Sequence, residues 1–568
     1  CFAITKYSKE HLENERTMNY QFLQSYSFTG NQLDQLIAPT IQEIKDILQK
    51  DYRKTILYVK GTELNEDNLQ NIGHTFADAV MIEPEMRNDP YVKKQLHTMI
   101  RKRIDEAKIG ALTVPANYSF VSGDPYSLCQ SMFGMKITGL LSAGEVYSRY
   151  WADRDVKKIV RFRAPMTCHN NIRLLNVVHN EKMDQFYQYM TTPTIFNSWD
   201  TCADAMNGFD KDGDCVMNTS LPLLVENTKE LPAIVCVQRQ AKKCVPTESD
   251  LVQANINSFG NAIGEITNKI TSMFEKQAEF DPDSEEYRIL DYRIKCGQLY
   301  QQNAIDKTKG IDAKPMPKEW NTNRKPYFMK YIYSSERKKF DEYEKKNNEK
   351  CLMRFRIPLS ELLKKETPSE EEQVFLENYY KRLPLGTAPC TVNNICRKVE
   401  AAFDDLPDTK NTGFDYSILK SDAAYTPQMY KRIQKLYEAY KKELSAYSQL
   451  AKKERIQSEE QKRGKLILKN HFRRLCTLEC PNEDILCNIL LDLCYPNNSS
   501  KQFVWDMCGR KLIQNLLKRN NYKITYPVRD PDGDILFKGE RFRMQLTQLK
   551  TETQPFCGNA HENGNDIK

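Results

Sequence analysis

The sequence predicts an α+β fold in which a β-rich central region is flanked by helical regions. Two observations support this prediction. Apolar residues recur at helical spacing up to about residue 108 and again beyond about residue 255, whereas the part between them holds short runs of β-branched and aromatic residues broken by Gly and Pro. Short strands separated by such breaks favour a small barrel over a parallel sheet.

The individual elements follow from the same patterns. We expect helices over 31–37, 41–48 and 91–108, strands at 112–114, 118–121 and 159–162, a charged helix or linker at 335–356, and a long helix whose apolar face runs from Met429 to Tyr440. The chain is thereby divided into a mainly helical N-terminal region (1–85), a barrel region (86–255), a helical region after it (256–320), a largely helical C-terminal region (321–520), and a β-hairpin with a tail (521–568).

Composition narrows the function classes less than the motifs do. The 568 residues include 83 Lys and Arg against 76 Asp and Glu, and an excess of only seven does not require a nucleic-acid partner. The 17 cysteines follow no repeated spacing, and the chain shows neither a signal peptide nor a membrane-spanning stretch, so we expect a reducing cytoplasm. Zinc is disfavoured because Cys487 and Cys494 lie seven residues apart in an apolar run typical of a buried helix.

The most informative motif is Asp210-Lys211-Asp212-Gly213-Asp214, which has three carboxylates at alternate positions. Such carboxylates repel one another, so we expect them in bulk water or around a divalent metal. Mg²⁺ is the expected ion because it prefers oxygen ligands and keeps some of its waters. An EF-hand is excluded, since Cys215 and Leu221 replace its required Gly and its last carboxylate. A solvated turn stays open as an alternative.

A second copy of this spelling provides an internal comparison. Asp530-Pro531-Asp532-Gly533-Asp534 lies between the strand-like segments 522–526 and 535–537. We therefore predict that the second copy is the turn of a β-hairpin. The first copy has to be judged by its context.

That context resembles a known family. Residues 159–169 (Ile-Val-Arg-Phe-Arg-Ala-Pro-Met-Thr-Cys-His), the loop from Cys202 to Asp214, the segment Gly264-Glu265-Ile266-Thr267-Asn268 and residues 304–310 (Ala-Ile-Asp-Lys-Thr-Lys-Gly) occur in one order. In this order they resemble the catalytic segments of the cellular RNA-dependent RNA polymerases of RNA silencing. The overall likeness is greater to single-chain RNA polymerases of tailed bacteriophages and extends distantly to the β′ subunit of multisubunit RNA polymerases. It covers roughly residues 85 to 315.

This resemblance implies a catalytic double-psi β-barrel flanked by helical domains. It also implies a nucleotidyltransferase that makes RNA from nucleoside triphosphates on a template. The catalytic residues would be Asp210, Asp212 and Asp214, which jointly hold Mg²⁺. By its position in the resemblance, Arg163 is a candidate for contacting nucleotide phosphates or the transcript end, with an ordinary surface arginine as the alternative.

Further contacts are expected around the triad. Lys307 and Lys309 would contact the nucleic-acid backbone, with an ordinary solvated loop as the alternative. His169 has a weaker claim, because a lone His near a strand is more often structural. Basic residues also crowd the approach to the triad, where a phosphate backbone would benefit from neutralisation. They are Arg149, Arg154, Lys157, Lys158, Arg161, Arg163 and Arg173.

The expected template is DNA rather than RNA. Asp89-Pro90-Tyr91, Asp124-Pro125-Tyr126 and Gly144-Glu145-Val146-Tyr147 look more like the phage enzymes than the silencing enzymes. RNA-dependent synthesis remains the alternative within the class. A Mg²⁺-dependent nuclease and a non-catalytic nucleic-acid-binding module are the alternatives from other classes, and three mutually repelling carboxylates argue against the binding module.

The expected partners are a nucleic-acid template, the RNA product, nucleoside triphosphates and no membrane. The family builds its active site between two barrels, yet the residues before Asp210 show no obvious first barrel, and the chain begins with Cys1. We therefore expect a fragment, a processed product or a subunit whose partner polypeptide or upstream segment carries the first barrel. The expected location is the cytoplasm, that of a bacterial host if a phage encodes the protein, with packaging in the virion left open.

Overall fold

The computed structural model of the protein describes most of the chain. The described residues are 7, 10–49, 51–65, 69, 75–206, 208–243, 245–258, 262–404, 413–454, 456, 458–496 and 500–549. The chain forms two compact units. The first comprises Cys1–Ile41 and Lys102–Asp405, and the second comprises Gln42–Arg101 and Leu406–Lys568. The division into five regions predicted from the sequence stays a prediction.

The strands of the described residues form three sheets. In chain order they are β1 (Glu15–Thr17), β2 (Thr113–Ser122), β3 (Glu145–Tyr147), β4 (Lys158–Phe162), β5 (Arg173–Val177), β6 (Thr194–Phe196), β7 (Cys215–Thr219), β8 (Lys325–Pro326), β9 (Leu385–Gly386), β10 (Lys523–Arg529), β11 (Ile535–Phe537) and β12 (Glu540–Gln548).

Helices surround these sheets, and many start at an Asp, Asn, Ser or Thr that caps the first turn. In chain order the α-helices are α1 (Tyr20–Leu23), α2 (Gly30–Leu48), α3 (Tyr52–Lys60), α4 (Phe76–Ile82), α5 (Pro90–Lys108), α6 (Pro125–Met132), α7 (Arg149–Ala152), α8 (Glu181–Phe186), α9 (Cys202–Ala205), α10 (Pro222–Asn227), α11 (Glu248–Ser258), α12 (Ala262–Gln277), α13 (Glu285–Ile305), α14 (Ser334–Phe355), α15 (Leu359–Leu362), α16 (Glu370–Arg382), α17 (Thr391–Ala402), α18 (Pro427–Lys453), α19 (Ser458–Glu479), α20 (Glu483–Cys494) and α21 (Lys501–Arg519). Short 3-10 helices occupy Pro84–Asn88, His169–Asn171, Asp306–Lys309, Lys318–Trp320, Tyr327–Tyr331 and Tyr416–Leu419.

Six strands of the first unit close into a barrel. Their order is β2-β6-β3-β5-β4-β7, and β7 pairs back with β2, while β1 pairs with the outside edge of β2. The pairs β2–β6 and β3–β5 are parallel and the others are antiparallel. The predicted α+β class, with a barrel flanked by helices, is thereby confirmed, and the non-sequential strand order agrees with a double-psi barrel.

Local predictions in this unit hold with altered boundaries. Apart from residue 112, the strand-like segments 112–114 and 118–121 belong to one ten-residue strand, β2, which continues through Pro115, where it pairs with β1. The predicted strand 159–162 is β4, and the charged segment 335–356 is a helix, α14. Apolar side chains from the barrel strands, including Val146, Ile159 and Val216, fill the core.

The second unit has a helical core and a three-stranded sheet. Apolar residues of α4, α5, α20 and α21 pack together, and Cys487 and Cys494 lie in this core as the apolar pattern of α20 predicts. The segment Asp530–Asp534 is a turn between strands, but the predicted hairpin pairing is wrong: β10 and β11 both pair with β12. β12 is the central strand of this sheet, because residues 540–542 pair with β11 on one edge and residues 542–548 pair with β10 on the other.

Among the helices that the described residues form, none is both long enough and apolar enough to cross a membrane.

Candidate active site

The first Asp-rich motif lies at the rim of the barrel. It connects α9 to β7, and β7 is hydrogen-bonded on one side to β2 and on the other to β4. The carbonyl oxygen of Asp214 accepts a hydrogen bond from the N–H of Val121 at 3.3 Å, which extends the ladder of β2 one residue into the loop. The loop is therefore anchored directly by the barrel.

The three carboxylates converge. One oxygen from each of Asp210, Asp212 and Asp214 lies within 4.8 Å of the others. The loop is closed by two main-chain bonds, since the N–H of Asp210 donates to the Asp214 carboxylate at 3.1 Å and the N–H of Asp212 donates to Asp210 Oδ1 at 3.4 Å. Gly213 has a φ of 117°, which side-chain-bearing residues rarely adopt, so the motif needs glycine here for its backbone conformation.

Two cations contact the triad from distant parts of the sequence. Arg163 Nη2 lies 2.8 Å from Asp214 Oδ2, and Lys309 Nζ lies 3.6 Å from Asp210 Oδ2. The hydrogen bond with Asp212 lowers the pKa of Asp210, and the positive charge of Lys309 lowers it further. Both contacts favour the ionised form of Asp210.

The fold explains why both cations arrive there. Phe162 of β4 pairs with Met217 of β7, so Arg163, the next residue, comes level with the Asp-rich loop. Lys309 ends the 3-10 helix that follows α13. The last residue of α13, Ile305, lies against Gly208, where an added Cβ would stand 3.1 Å from Ile305 Cδ1. This close approach brings the end of α13 to the loop.

The donor set fits a hard divalent cation. Three carboxylates offer oxygen ligands at one point, and the side chains are accessible, with 46% of Asp210 and 21% of Asp214 exposed. A hydrated Mg²⁺ that keeps several waters needs both features. Within the described residues, this is the only group of three or more His, Cys, Asp or Glu side chains that converge in this way.

The second motif has the same spelling and a different physical role. Its outer carboxylates are taken by separate arginines, with Arg53 2.6 Å from Asp534 and Arg543 3.0 Å from Asp530. Gly533 is required for space rather than for a positive φ, because a Cβ there would lie 2.2 Å from the carbonyl oxygen of Phe542. This copy is a structural turn.

Of the other residues considered for the site, Lys307 lies near the triad and His169 has a structural role. Lys307 is exposed on the 3-10 helix that brings Lys309 to the triad. His169 is a structural residue: its Nε2 accepts a hydrogen bond from the N–H of Lys229 at 3.0 Å, and its Nδ1 faces the hydroxyl of Ser25 at 3.4 Å. Burial, aided by the charge of Lys229, lowers the pKa of His169 to about 4, so the ring is neutral near pH 7.

The predicted basic approach is only partly available to a phosphate backbone. Arg161 is fully buried in the barrel, where it donates to Asn218 at 2.8 Å and to Thr194 at 2.7 Å. Arg173 donates to main-chain carbonyls, including that of Leu231. The expectation was wrong for these two arginines, because charge counting along the sequence does not distinguish inward-facing from outward-facing strand positions.

The two Asp-Pro-Tyr motifs that favoured a DNA template are helix starts. Asp89 caps α5 by accepting a hydrogen bond from the N–H of Tyr91 at 2.8 Å, and Asp124 caps α6 by accepting one from the N–H of Tyr126 at 2.9 Å. In each motif Pro occupies the first helical position, which suits its fixed φ. Each motif therefore has a local structural role as the start of a helix.

Sequence reasoning missed two residues near the triad. Asp306 is mostly buried and lies 3.0 Å from Lys309 Nζ, so it holds that ammonium beside the loop. Lys211, within the motif itself, extends to Gly123, where an added Cβ would stand 3.0 Å from its Nζ. Its place between two of the aspartates was a signal that could have identified Lys211, whereas Asp306 was visible only as part of the resembling segment 304–310.

Comparisons with known proteins found the following similarities. The chain is 27% identical over 278 residues to the DNA-directed RNA polymerase YonO of Bacillus phage SPbeta. The aligned residues make up 47% of this chain and 32% of that protein. The predicted resemblance to phage RNA polymerases is thereby confirmed, and the match spans about one third of the relative's length. Among solved structures, the RNA dependent RNA polymerase QDE-1 from Thielavia terrestris is similar with a TM-score of 0.44 and 12% identity, over 89% of this chain and 57% of that chain. No protein-family model matches the chain.

Proposed function

We propose that this chain is the catalytic part of a template-directed RNA polymerase, a nucleotidyltransferase of the phage type. The observation that carries the proposal is the convergence of Asp210, Asp212 and Asp214 on one point at the rim of a closed barrel. The likeness to a phage DNA-directed RNA polymerase supports it.

The triad is proposed to hold Mg²⁺. The chemistry that this ion supplies in nucleotidyl transfer is a lowered pKa of the attacking 3′-hydroxyl and charge neutralisation at the leaving pyrophosphate. The protein contributes three carboxylates, and main-chain N–H groups of the loop donate hydrogen bonds to those of Asp210 and Asp214. Because the loop continues directly into β7, the ligands stay in place while substrates exchange.

The flanking cations are assigned to the substrate. Arg163 is 13% exposed at the edge of the triad, and its planar set of donors suits a phosphate or ribose oxygen of the nucleotide or of the transcript end. Lys309 is 64% exposed and spans Asp210 and Asp306, so its charge is available beside the triphosphate. Lys307, exposed on the same 3-10 helix, is assigned to the nucleic-acid backbone.

The proposed template is DNA, and the support for this choice is the DNA-directed activity named for the phage relative. A second barrel, on a partner polypeptide or an upstream segment, is proposed to complete the active site opposite the triad. The proposed setting is the bacterial host cell of a phage.

Incubation with a single-stranded template, labelled nucleoside triphosphates and Mg²⁺ tests the proposal, with and without a co-expressed polypeptide carrying the first barrel. Template-dependent elongation of RNA is expected. Degradation of the template would instead identify a nuclease, and retention of the template with neither reaction in both arms would identify a binding module. Either of these results would overturn the polymerase assignment.

A further inference from the structure

Positive charge is concentrated in two consecutive helices of the second unit. Helices α18 and α19 together carry thirteen Lys and Arg side chains against five Asp and Glu, an excess of eight. The whole chain of 568 residues has an excess of only seven. The rest of the protein is therefore close to neutral, and these two helices form a separate basic element.

The two helices form an antiparallel hairpin. Residue numbers along α18 increase as those of their contacts on α19 decrease. Arg432 lies 2.9 Å from Glu479, and the ring centroids of Tyr440 and Phe472 are 5.4 Å apart. The Tyr447 hydroxyl donates a hydrogen bond to the carbonyl of Glu460 at 3.3 Å. Aromatic side chains fill the seam between the helices. The lysines are left on the outside.

One side of α18 carries a row of lysines. At 100° per residue, Lys431, Lys435, Lys442 and Lys453 lie within about 40° of one another around the helix, and they extend over about 33 Å along it. All four side chains are exposed. Of the two carboxylates on α18, Glu438 lies on the same side of the helix. We call these four residues the α18 lysine row.

Among the residues that the structure describes, the row differs from two basic residues of α19 in making no ion pair or hydrogen bond that holds it to the rest of the protein. Lys469 pairs with Asp506 at 2.8 Å, and Arg473 donates to the carbonyl of Asp506 at 3.1 Å, so these two side chains stabilise the fold. Within the part of the chain that the structure describes, none of the four ammonium groups of the row has a carboxylate oxygen within 4.0 Å. Four like charges in line repel one another unless an anion joins them.

An extended row of this kind fits a linear polyanion. Neutralising successive phosphates of a nucleic acid releases condensed counterions, which favours binding without any contact to the bases. A membrane surface fits less well, because a helix that binds lipid needs an exposed apolar face, and Ile433 and Tyr437 on the apolar face of α18 are buried in the protein.

We propose that the α18 lysine row binds the phosphate backbone of the template or product nucleic acid, through charge and independently of sequence. The choice of nucleic acid over other polyanions rests on the proposed polymerase function, while the row itself follows from the charges and exposure given above. The row is a binding surface and takes no part in the chemistry at the triad.

Helix α14 provides a matched control. It has 22 residues and carries seven Lys and Arg, but five Asp and Glu lie among them. Its lysines Lys338, Lys345, Lys346 and Lys350 are exposed. Replacing these four by Gln removes the same formal charge as replacing the row, from a helix whose positive charges are nearly balanced.

The experiment compares the full-length protein with three quadruple variants: the row changed to Gln, the row changed to Arg, and the α14 lysines changed to Gln. Binding to a fluorescently labelled single-stranded oligonucleotide is measured by anisotropy from roughly 50 to 200 mM salt, and circular dichroism monitors folding. Each phosphate contact with a single strand contributes about 0.7 to the slope of log affinity against log salt. Loss of the row is expected to reduce the slope by about 3 and to weaken binding at least tenfold at the lower salt concentrations. The Arg variant and the α14 variant should behave like the wild type.

Several results would overturn this proposal. They are an unchanged slope in the Gln variant of the row, an equal loss in the α14 variant, or a loss of binding to phosphatidylserine vesicles with retained binding to nucleic acid. A loss of binding in the Arg variant would also overturn it, since the charge would then not be the cause. Because binding is measured without synthesis, the two proposals fail separately: a protein that binds through the row but makes no RNA would refute only the polymerase assignment.

Discussion

The change Asp212→Ala separates the metal assignment from a structural role for the triad. Asp212 is exposed, and its carboxylate is one of three within 4.8 Å, so the change removes a ligand and a charge but opens no core cavity. We expect RNA synthesis to fall by about 100-fold or more, as when a preorganised group that stabilises developing charge is removed.

The folded state of Asp212→Ala should be as stable as that of the wild type or slightly more stable. Two unit charges about 4.8 Å apart in water repel by about 1 kcal/mol before screening by salt. Asp212 has two such neighbours, Asp210 and Asp214, so its removal relieves about 2 kcal/mol of unscreened repulsion in the protein without metal. Thermal unfolding of the variant in the presence of a chelator should therefore occur at the wild-type temperature or slightly above it.

The second motif supplies the control. Asp532→Ala makes the same change in the same Asp-x-Asp-Gly-Asp spelling, where the outer carboxylates are bound by Arg53 and Arg543 and do not converge. Elongation of a labelled transcript is measured for both variants and the wild type. Synthesis by Asp212→Ala within about tenfold of wild type would refute the metal assignment. A loss in Asp532→Ala as deep as that in Asp212→Ala would show that both copies matter.

Three further outcomes are expected. Burial raises the pKa of Asp89 from 3.8 to about 6, so between these values the folded state binds the additional proton and the free energy of unfolding should fall by about 3 kcal/mol as pH rises. Urea unfolding of the wild type and of Asp89→Asn at pH 4 and pH 7 checks this, since the wild type should lose more stability than the variant as pH rises, and equal changes in the two proteins would contradict it. Gly533→Ala should lower the free energy of unfolding by about 2 kcal/mol because its Cβ would meet the main chain of Phe542, and an unchanged melting temperature would show that the turn adapts. On single-stranded DNA and RNA of identical sequence, the complete polymerase should extend transcripts on DNA at least as well, and a clear preference for RNA would overturn the choice of template.

Most of the features that the sequence predicts correctly depend on residues close together in the chain. The triad, the barrel strands β2 and β4, and the helix α18 follow from residue spacing and turn residues alone, and all are present. What the sequence did not reveal is how deeply a side chain lies in the barrel, since residues two apart on a strand point to the same face. Arg161 and Arg163 are two residues apart and equally basic, yet Arg161 is sealed inside the barrel and Arg163 reaches the triad.

Contacts between distant residues are the other part that could not be predicted from pattern. Lys309 reaches Asp210 because Gly208 leaves room for Ile305, and only the folded chain shows that these residues meet. The resemblance assigned Lys309 to the site but could not show that Asp306 holds it there. For the same reason, the pairing of β10 with β12 rather than with β11 was not evident from the turn at Asp530–Asp534.

Net charge is where local and global descriptions of this protein differ most. An excess of seven over 568 residues gave no support for a nucleic-acid partner, and the argument for one had to come from motifs. When the charges are counted helix by helix, the hairpin of α18 and α19 has eight more positive than negative side chains, and the rest of the chain is nearly neutral. Since electrostatic binding to a polyanion depends on the number of phosphates contacted at one surface, the local excess decides the affinity and the net charge does not. Phosphate binding requires a basic surface and metal binding requires a cluster of carboxylates. Both can therefore be present in one chain whose total charge is almost balanced.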